Sequence, residues 1–281
     1  MKTKFLKSFY AIVIMAMLAV ACDQDDKVSQ PQGTDEEEEH AVESTSVGED
    51  ASDDALEITS QVEGEISSTG GRVSTTCAVV TNDTEQKILT IDFGDGCVGP
   101  YGKTRKGKIF VAYSSVIGDS IANRIITFEN YFVNNKGVTG TIELRDISIN
   151  ASGNLQSVKK LVDLTISFPN GERVVFNGSR TRELISGYAD DILSNNIYKI
   201  TGSVSGESTT GRSFALEITN PIIADWTCAA QGNFARVAGT VEMTKLGGYV
   251  TRKRTVDYGD GECDNIITIT TFRRTYQVSV N

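Results

Sequence analysis

The cysteines are the residues of this chain whose types and spacing most clearly define a chemistry. Four of the five lie after residue 75, at Cys77, Cys97, Cys228 and Cys263. In an oxidising compartment these four would form two disulfides, for which three connectivities are possible. We predict Cys77–Cys97 and Cys228–Cys263 because this pairing treats two similar loops alike, whereas the rival pairing would join the first loop to the last. A zinc site built from the same thiols would need a reducing compartment.

Two loops that end in these cysteines carry closely spaced acidic residues. Thr90–Cys97 reads TIDFGDGC, and Thr255–Cys263 reads TVDYGDGEC. The second loop and the residue after it hold four carboxylates within eight positions: Asp257, Asp260, Glu262 and Asp264. Hard cations such as Ca²⁺ take oxygen ligands of this kind, so these four are the candidate calcium ligands. Asp-Gly pairs are also ordinary turn formers, and the spacing is not that of an EF-hand, which favours the turn interpretation.

Catalytic chemistry has little support in the sequence. The single histidine, His40, lies in an acidic N-terminal stretch, so the C-terminal part cannot build His-based triads, Cys–His dyads or His-ligated metal sites. A carboxylate pair for glycoside hydrolysis depends on spatial separation, and its first candidates are Asp92, Asp95, Asp257 and Asp260. We therefore predict a protein that is not an enzyme, with a carboxylate- or calcium-dependent hydrolase as the alternative.

The first 21 residues, MKTKFLKSFYAIVIMAMLAVA, have the parts of a signal peptide. Three lysines precede an apolar run of about 13 residues, which is shorter than the roughly 20 residues of a transmembrane helix, and small residues follow it. Leu18–Cys22 (LAVAC) resembles a lipobox, the motif that directs lipid onto a cysteine thiol, although Ala19 lies where the pattern usually has Leu. We predict lipidation of Cys22, with acyl chains such as palmitate as the membrane anchor.

The acidity of the chain is concentrated behind that cysteine. Asp23–Glu57 holds seven Asp and seven Glu against one lysine, whereas Ile58–Asn281 holds 23 acidic and 23 basic residues. Because residues 23 to 52 nearly lack large apolar side chains, we predict a disordered acidic tether over residues 22–52. A short helix could start at Asp53, and the folded domain then spans residues 53–281. That domain has no basic surplus, so we predict no binding to nucleic acid.

The remainder of the chain has the pattern of β-strands. Runs of β-branched and aromatic residues such as Lys87–Phe93, Lys108–Tyr113 and Arg124–Tyr131 recur about a dozen times, separated by turn residues such as Asn170-Gly171. Glycines recur inside the predicted strands in a Φ-x-Gly-[Ser/Thr] pattern, which relieves crowding where a sheet bends. We predict an all-β fold with one large curved antiparallel sheet, either a half-barrel or a partly closed barrel.

The stretches IDFGDGCVGPYGKTRKGKI, ITFENYFVNNKGVTGT and VDYGDGECDNI, together with the final TYQVSV, resemble uncharacterised exported lipoproteins of Bacteroidetes-type bacteria. The likeness covers most of residues 75–281. It implies an all-β exported fold and implies no activity. The acidic residues after Cys22, Asp23-Gln24-Asp25-Asp26, resemble the export signal of surface-exposed lipoproteins in the same bacteria.

These features predict a lipid-anchored protein of the cell envelope, located in the outer membrane and exposed at the cell surface. We expect a binding or structural role, with a protein, a glycan or an apolar molecule as the unknown partner. The alternative is a carrier that holds a lipid or another apolar ligand in a concave groove of the sheet.

Overall fold

A computed structural model describes residues 35–69, 77–115, 123–187, 193–209, 211–246 and 253–280. The predicted signal peptide, Cys22 and residues 23–34 of the predicted tether lie outside the described residues. The helices are α1 (Asp35–Thr69) and α2 (Trp226–Ala230), and 3-10 turns lie at Pro100–Gly102 and Leu193–Asn195. The strands are β1 (Val79–Asp83), β2 (Ile88–Asp92), β3 (Cys97–Val98), β4 (Thr104–Tyr113), β5 (Arg124–Val133), β6 (Lys136–Ile149), β7 (Leu155–Ser167), β8 (Arg173–Ser186), β9 (Ile197–Ser208), β10 (Ser213–Asp225), β11 (Arg236–Lys245), β12 (Lys253–Asp260), β13 (Ile266–Thr270) and β14 (Thr275–Ser279).

All of these strands belong to one antiparallel sheet. Apart from the short β3, which pairs with β4, the strands follow one another across the sheet in sequence order, so that β1 and β14 are its two edges. Short turns set the register, as between β5 and β6, where Val133 pairs with Lys136. The predicted fold class is confirmed: the protein is mostly antiparallel β, in one large sheet that does not close.

Bulges interrupt the strand pairing where the sheet bends. The register between β6 and β7 shifts between Thr139 and Thr141, on either side of Gly140. Gly140 has a φ of 97°, and a Cβ at this position would lie 2.4 Å from the carbonyl oxygen of Asp163. Gly239, in another copy of the Φ-x-Gly pattern, approaches β10 in the same way. The pattern therefore marks positions where neighbouring backbones come too close for a side chain.

The N-terminal helix is the main difference from the sequence-based prediction. The sequence predicts a disordered tether over residues 22–52 and a short helix from Asp53, whereas the structure has one 35-residue helix, Asp35–Thr69. The tether prediction is therefore wrong for residues 35–52, and the domain boundary moves from residue 53 to residue 35. The acidic composition of residues 35–52 suggested disorder, but cationic side chains on distant strands, such as Arg180 and Arg236, neutralise buried acidic side chains of this segment.

α1 lies within the curve of the sheet and forms part of its core. Its polar side chains bond to β4, β5, β7, β8, β11 and β12. All side chains from Ala51 to Thr59 are buried, and nine consecutive residues cover every face of a helix. Leu56 and Val62 belong to the same apolar cluster as Ile109 and Phe176 of the sheet. In the described part of the chain, no helix is long and apolar enough to cross a membrane.

Candidate functional site

The interior of the sheet carries a set of buried cationic side chains. They come from six strands, and each is at most 7% exposed: Arg105, Arg124, Lys159, Arg180, Arg182, Arg236 and Arg254. Buried acidic side chains of α1 share this interior: Glu49, Asp53, Asp54, Glu57 and Glu63. Buried charges require partners because the loss of their hydration is costly. We refer to these side chains together as the charged core.

Glu49 joins two distant strands of the sheet through α1. Its Oε1 accepts a hydrogen bond from Arg180 of β8 at 2.7 Å, and its Oε2 accepts one from Arg236 of β11 at 2.8 Å. Burial acts to raise the pKa of Glu49, but the two guanidinium groups outweigh it and lower the pKa to about 2. Glu49 is therefore ionised at neutral pH and holds both strands against the same turn of α1.

Asp53 and Asp54 make the next contacts along the helix. Asp53 binds Nζ of Lys159 in β7 and accepts a hydrogen bond from Arg236 at 2.8 Å. Asp54 accepts two hydrogen bonds from Arg105 of β4, at 3.0 Å from Nε and 2.6 Å from Nη2. Burial acts to raise the pKa of each aspartate, but the neighbouring cations outweigh it, so both pKa values lie below their usual range. Such two-point, charge-assisted contacts fix orientation as well as distance.

Glu57 and Glu63 differ from the other acidic residues of the charged core. Glu63 pairs with Arg124 of β5, yet burial raises its pKa. Burial also raises the pKa of Glu57 to about 8; Arg182 opposes this shift, and Asp54 adds to it. Within the described part of the chain, Oε1 of Glu57 has no hydrogen-bond partner. The charged core therefore contains a carboxylic acid that is mostly protonated at neutral pH.

A small cavity, called here the α1 pocket, lies beside the N-terminal half of α1. Its volume is about 120 Å³. The rest of its wall comes from the β5–β6 turn, the segment before β4, the region from α2 to β11, and the residues Asn265 and Val280. Its polar lining includes Asp50, Lys103, Asn134 and Lys136. Its apolar lining includes Val47, Phe234 and Val280. Asn134 is exposed, so the pocket reaches the surface of the molecule.

The two lysines of the α1 pocket have different surroundings. Nζ of Lys103 lies 3.2 Å from Oδ2 of Asp50 and 3.2 Å from Oδ1 of Asp54. Burial acts to lower the pKa of Lys103, but these carboxylates outweigh it and raise the pKa above its usual value. Lys136 is half-buried, and burial lowers its pKa, with Asp50 opposing the shift. Among the described residues, the Lys136 ammonium has no hydrogen bond or ion pair.

The structure confirms both predicted disulfides. The Cα atoms of Cys77 and Cys97 are 6.1 Å apart, and those of Cys228 and Cys263 are 5.2 Å apart. The first bridge joins β3 to Cys77, two residues before the start of β1. The second bridge joins α2 to Cys263, in the loop between β12 and β13. Trp226 is the first residue of α2, and its ring centroid lies 5.5 Å from that of Tyr101.

The acidic loop residues act in turns. Oδ1 of Asp257 accepts a hydrogen bond from the Gly259 amide at 3.0 Å, and Oδ1 of Asp264 accepts one from the Ile266 amide at 3.0 Å. Among the described residues, no three acidic, cysteine or histidine side chains form a group that could hold a metal ion. The predicted calcium ligands therefore do not assemble into a site: Asp257, Asp260, Glu262 and Asp264.

Sequence reasoning missed the charged core because its two halves are far apart along the chain. Glu49 and Arg236, for example, are separated by 187 positions. Two local signals were present. Glu49, Asp53 and Glu57 recur every four residues, and Arg180 and Arg182 occupy alternate positions of one strand, which places both on the same face. Either pattern alone is ordinary for a solvated surface, and only their pairing indicates an interior.

No protein-family model, curated protein or solved structure matches this chain.

Proposed function

We propose that this protein is an exported lipoprotein of the cell envelope, anchored in the outer membrane through lipid on Cys22 and exposed at the cell surface, with a non-enzymatic binding or structural role. The observation that carries the proposal is the pair of disulfides. Disulfides form and persist in oxidising environments outside the cytoplasm. This agrees with the N-terminal sequence, which has the parts of a lipoprotein signal peptide.

The position of α1 supports a structural contribution. α1 begins thirteen positions after Cys22, so the intervening chain spans at most about 45 Å when fully extended. The element next to the proposed anchor is therefore the helix that fills the sheet. A pull on the anchor would act first on α1, whose ion pairs to several strands distribute the force.

The lipid anchor is tested by metabolic labelling with a clickable fatty acid. Cys22→Ser is expected to abolish labelling of the protein, because the acyl chains require the Cys22 thiol. Cys77→Ser is the matched control, since it removes an exposed disulfide cysteine and should retain the label. Undiminished labelling of the Cys22→Ser variant would contradict the anchor.

The two other functions predicted from the sequence gain no support from the geometry. A carrier of an apolar ligand requires an open apolar groove on the concave face, and α1 fills that face with its own side chains, including Leu56. A hydrolase requires acidic residues that converge in a cleft. Asp92 and Asp257 instead accept hydrogen bonds from the amides of Gly94 and Gly259 in their own turns.

A further inference from the structure

We infer that the α1 pocket binds a small molecule that carries a carboxylate and a short apolar tail. The inference deepens the proposed binding role by naming the class of ligand, and it rests on that role. It does not depend on the lipid anchor, so the two can be tested separately.

The charge of the pocket favours an anion. Lys103 and Lys136 contribute two positive charges to the lining, against one negative charge from Asp50. Asp54 also contacts Lys103, but both of its oxygens are paired with Arg105, so the balance around the pocket stays positive. Oδ1 of Asn134 accepts a hydrogen bond from the Thr104 amide at 3.0 Å, which leaves its Nδ2 as a donor toward a ligand. An oxyanion between these groups would supply the half-buried Lys136 ammonium with a partner.

The apolar lining and the volume restrict the rest of the ligand. Val47, Phe234 and Val280 form a wall against which a hydrocarbon tail could pack, and a bare phosphate ion would leave this wall without contacts. A cavity of about 120 Å³ has the volume of about four water molecules. A short-chain carboxylate such as butyrate, with six non-hydrogen atoms, fits both limits.

Asp50 controls access to Lys103. Its carboxylate occupies one side of the Lys103 ammonium, where the carboxylate of a ligand would bind. Asp54 of the charged core contacts the same ammonium at 3.2 Å and would keep Lys103 in place without Asp50. Removal of the Asp50 charge should therefore strengthen anion binding, whereas removal of the Lys136 charge should weaken it.

The test is a titration of the full chain, carrying Cys22→Ser to avoid lipidation, with butyrate. Binding is followed by the NMR signals of the Val47 and Val280 methyl groups. We expect saturable shifts with a Kd on the order of 1 mM. Lys136→Met should weaken binding by about tenfold or more, and Asp50→Asn should tighten it by roughly threefold. Lys160→Met is the matched control, because Lys160 pairs with Glu143 on another part of the sheet.

Two further probes separate this site from weaker explanations. Inorganic phosphate should bind at least about tenfold more weakly than butyrate, and butylamine should not produce saturable shifts. Equal binding of phosphate and butyrate would overturn the assignment of a carboxylate with an apolar tail. Unchanged butyrate affinity in Lys136→Met, or weaker affinity in Asp50→Asn, would overturn the site itself. Loss of fatty-acid labelling or its persistence has no bearing on these outcomes.

Discussion

Glu49 and Glu57 lie about two turns apart on α1, yet their surroundings shift their pKa values in opposite directions. Two guanidinium groups hydrogen-bond to Glu49, so its ionised form is favoured in spite of burial. Glu57 is buried to the same extent, and Arg182 only partly offsets the loss of hydration. Ionised Glu49 therefore stabilises the fold, whereas burial of Glu57 lowers the stability of the fold when Glu57 is ionised.

Glu57 makes the stability of the fold dependent on pH. Its ordinary pKa of 4.5 applies to the unfolded chain, and its pKa in the folded protein is about 8. Between these values the folded protein binds more protons than the unfolded chain, so stability falls as the pH rises from about 4.5 through about 8. Glu57→Gln removes this dependence. We expect the variant to be more stable than the parent at about pH 9, by up to about 5 kcal/mol, with little difference at about pH 4.

Urea denaturation across this pH range measures the effect, and Glu183→Gln is its control. Hydrogen bonds from Lys199, Asn154 and Asn150 lower the pKa of Glu183 to about 2. Its contribution to stability is therefore present above its ordinary pKa of 4.5 and lost only as the pH falls toward 2. Glu183→Gln should give no gain at alkaline pH. An equal gain from both variants would show that burial of Glu57 is not the cause.

At the scale of elements, α1 is a helix whose stability comes from its surroundings. Glu49, Asp53 and Glu57 repel one another at four-residue spacing, and the helix also contains several Ser, Thr and Gly residues of low helical propensity. The cations of the sheet replace this repulsion with ion pairs, and the apolar side chains of α1 join the core. Both contributions exist only in the folded protein.

A peptide of residues 35–69 is therefore expected to be mostly non-helical at neutral pH. Its carboxylates become protonated toward about pH 3, which removes the repulsion, and its helical content should then increase. Circular dichroism of the peptide as a function of pH measures both states. A peptide that is predominantly helical at neutral pH would show that α1 does not depend on the charged core.

The elements differ in how well the sequence predicts them, and the difference follows the range of the interactions. Strands such as β4 are recognisable from local alternation, although the structure extends β4 back to Thr104, beyond the predicted start at Lys108. The glycine pattern also reports a local constraint, since the positive φ of Gly140 excludes most other residues. α1 was not recognisable because its partners, such as Arg236, come from strands far along the chain.

At the scale of the whole molecule, the charged core divides the neutral charge of Ile58–Asn281 into two unequal parts. Ile58–Asn281 has 23 acidic and 23 basic residues, of which seven basic residues and one acidic residue belong to the charged core. The other 22 acidic and 16 basic residues leave a negative balance outside it. The neutral total of this region is therefore the sum of two unequal parts. The residues in the charged core are mostly basic and attract the acidic side chains of α1, whereas the remaining residues have a negative balance, which disfavours nucleic-acid binding.

The two disulfides constrain the two halves of the sheet to different degrees. Their sequence separations are 20 and 35 residues, for which the chain-entropy model gives losses of about 3.3 and 3.8 kcal/mol when each bridge is removed. Cys228 is fully buried in α2, whereas Cys77 is exposed, so removal of the second bridge also disturbs packing around Trp226.

We therefore expect Cys228→Ala with Cys263→Ala to lower the free energy of unfolding more than Cys77→Ala with Cys97→Ala. Guanidinium unfolding of the two double variants measures the difference, with the parent protein under non-reducing conditions as reference. A larger loss in the Cys77 and Cys97 variant would show that the first loop, and not the buried junction at α2, limits the stability of the sheet.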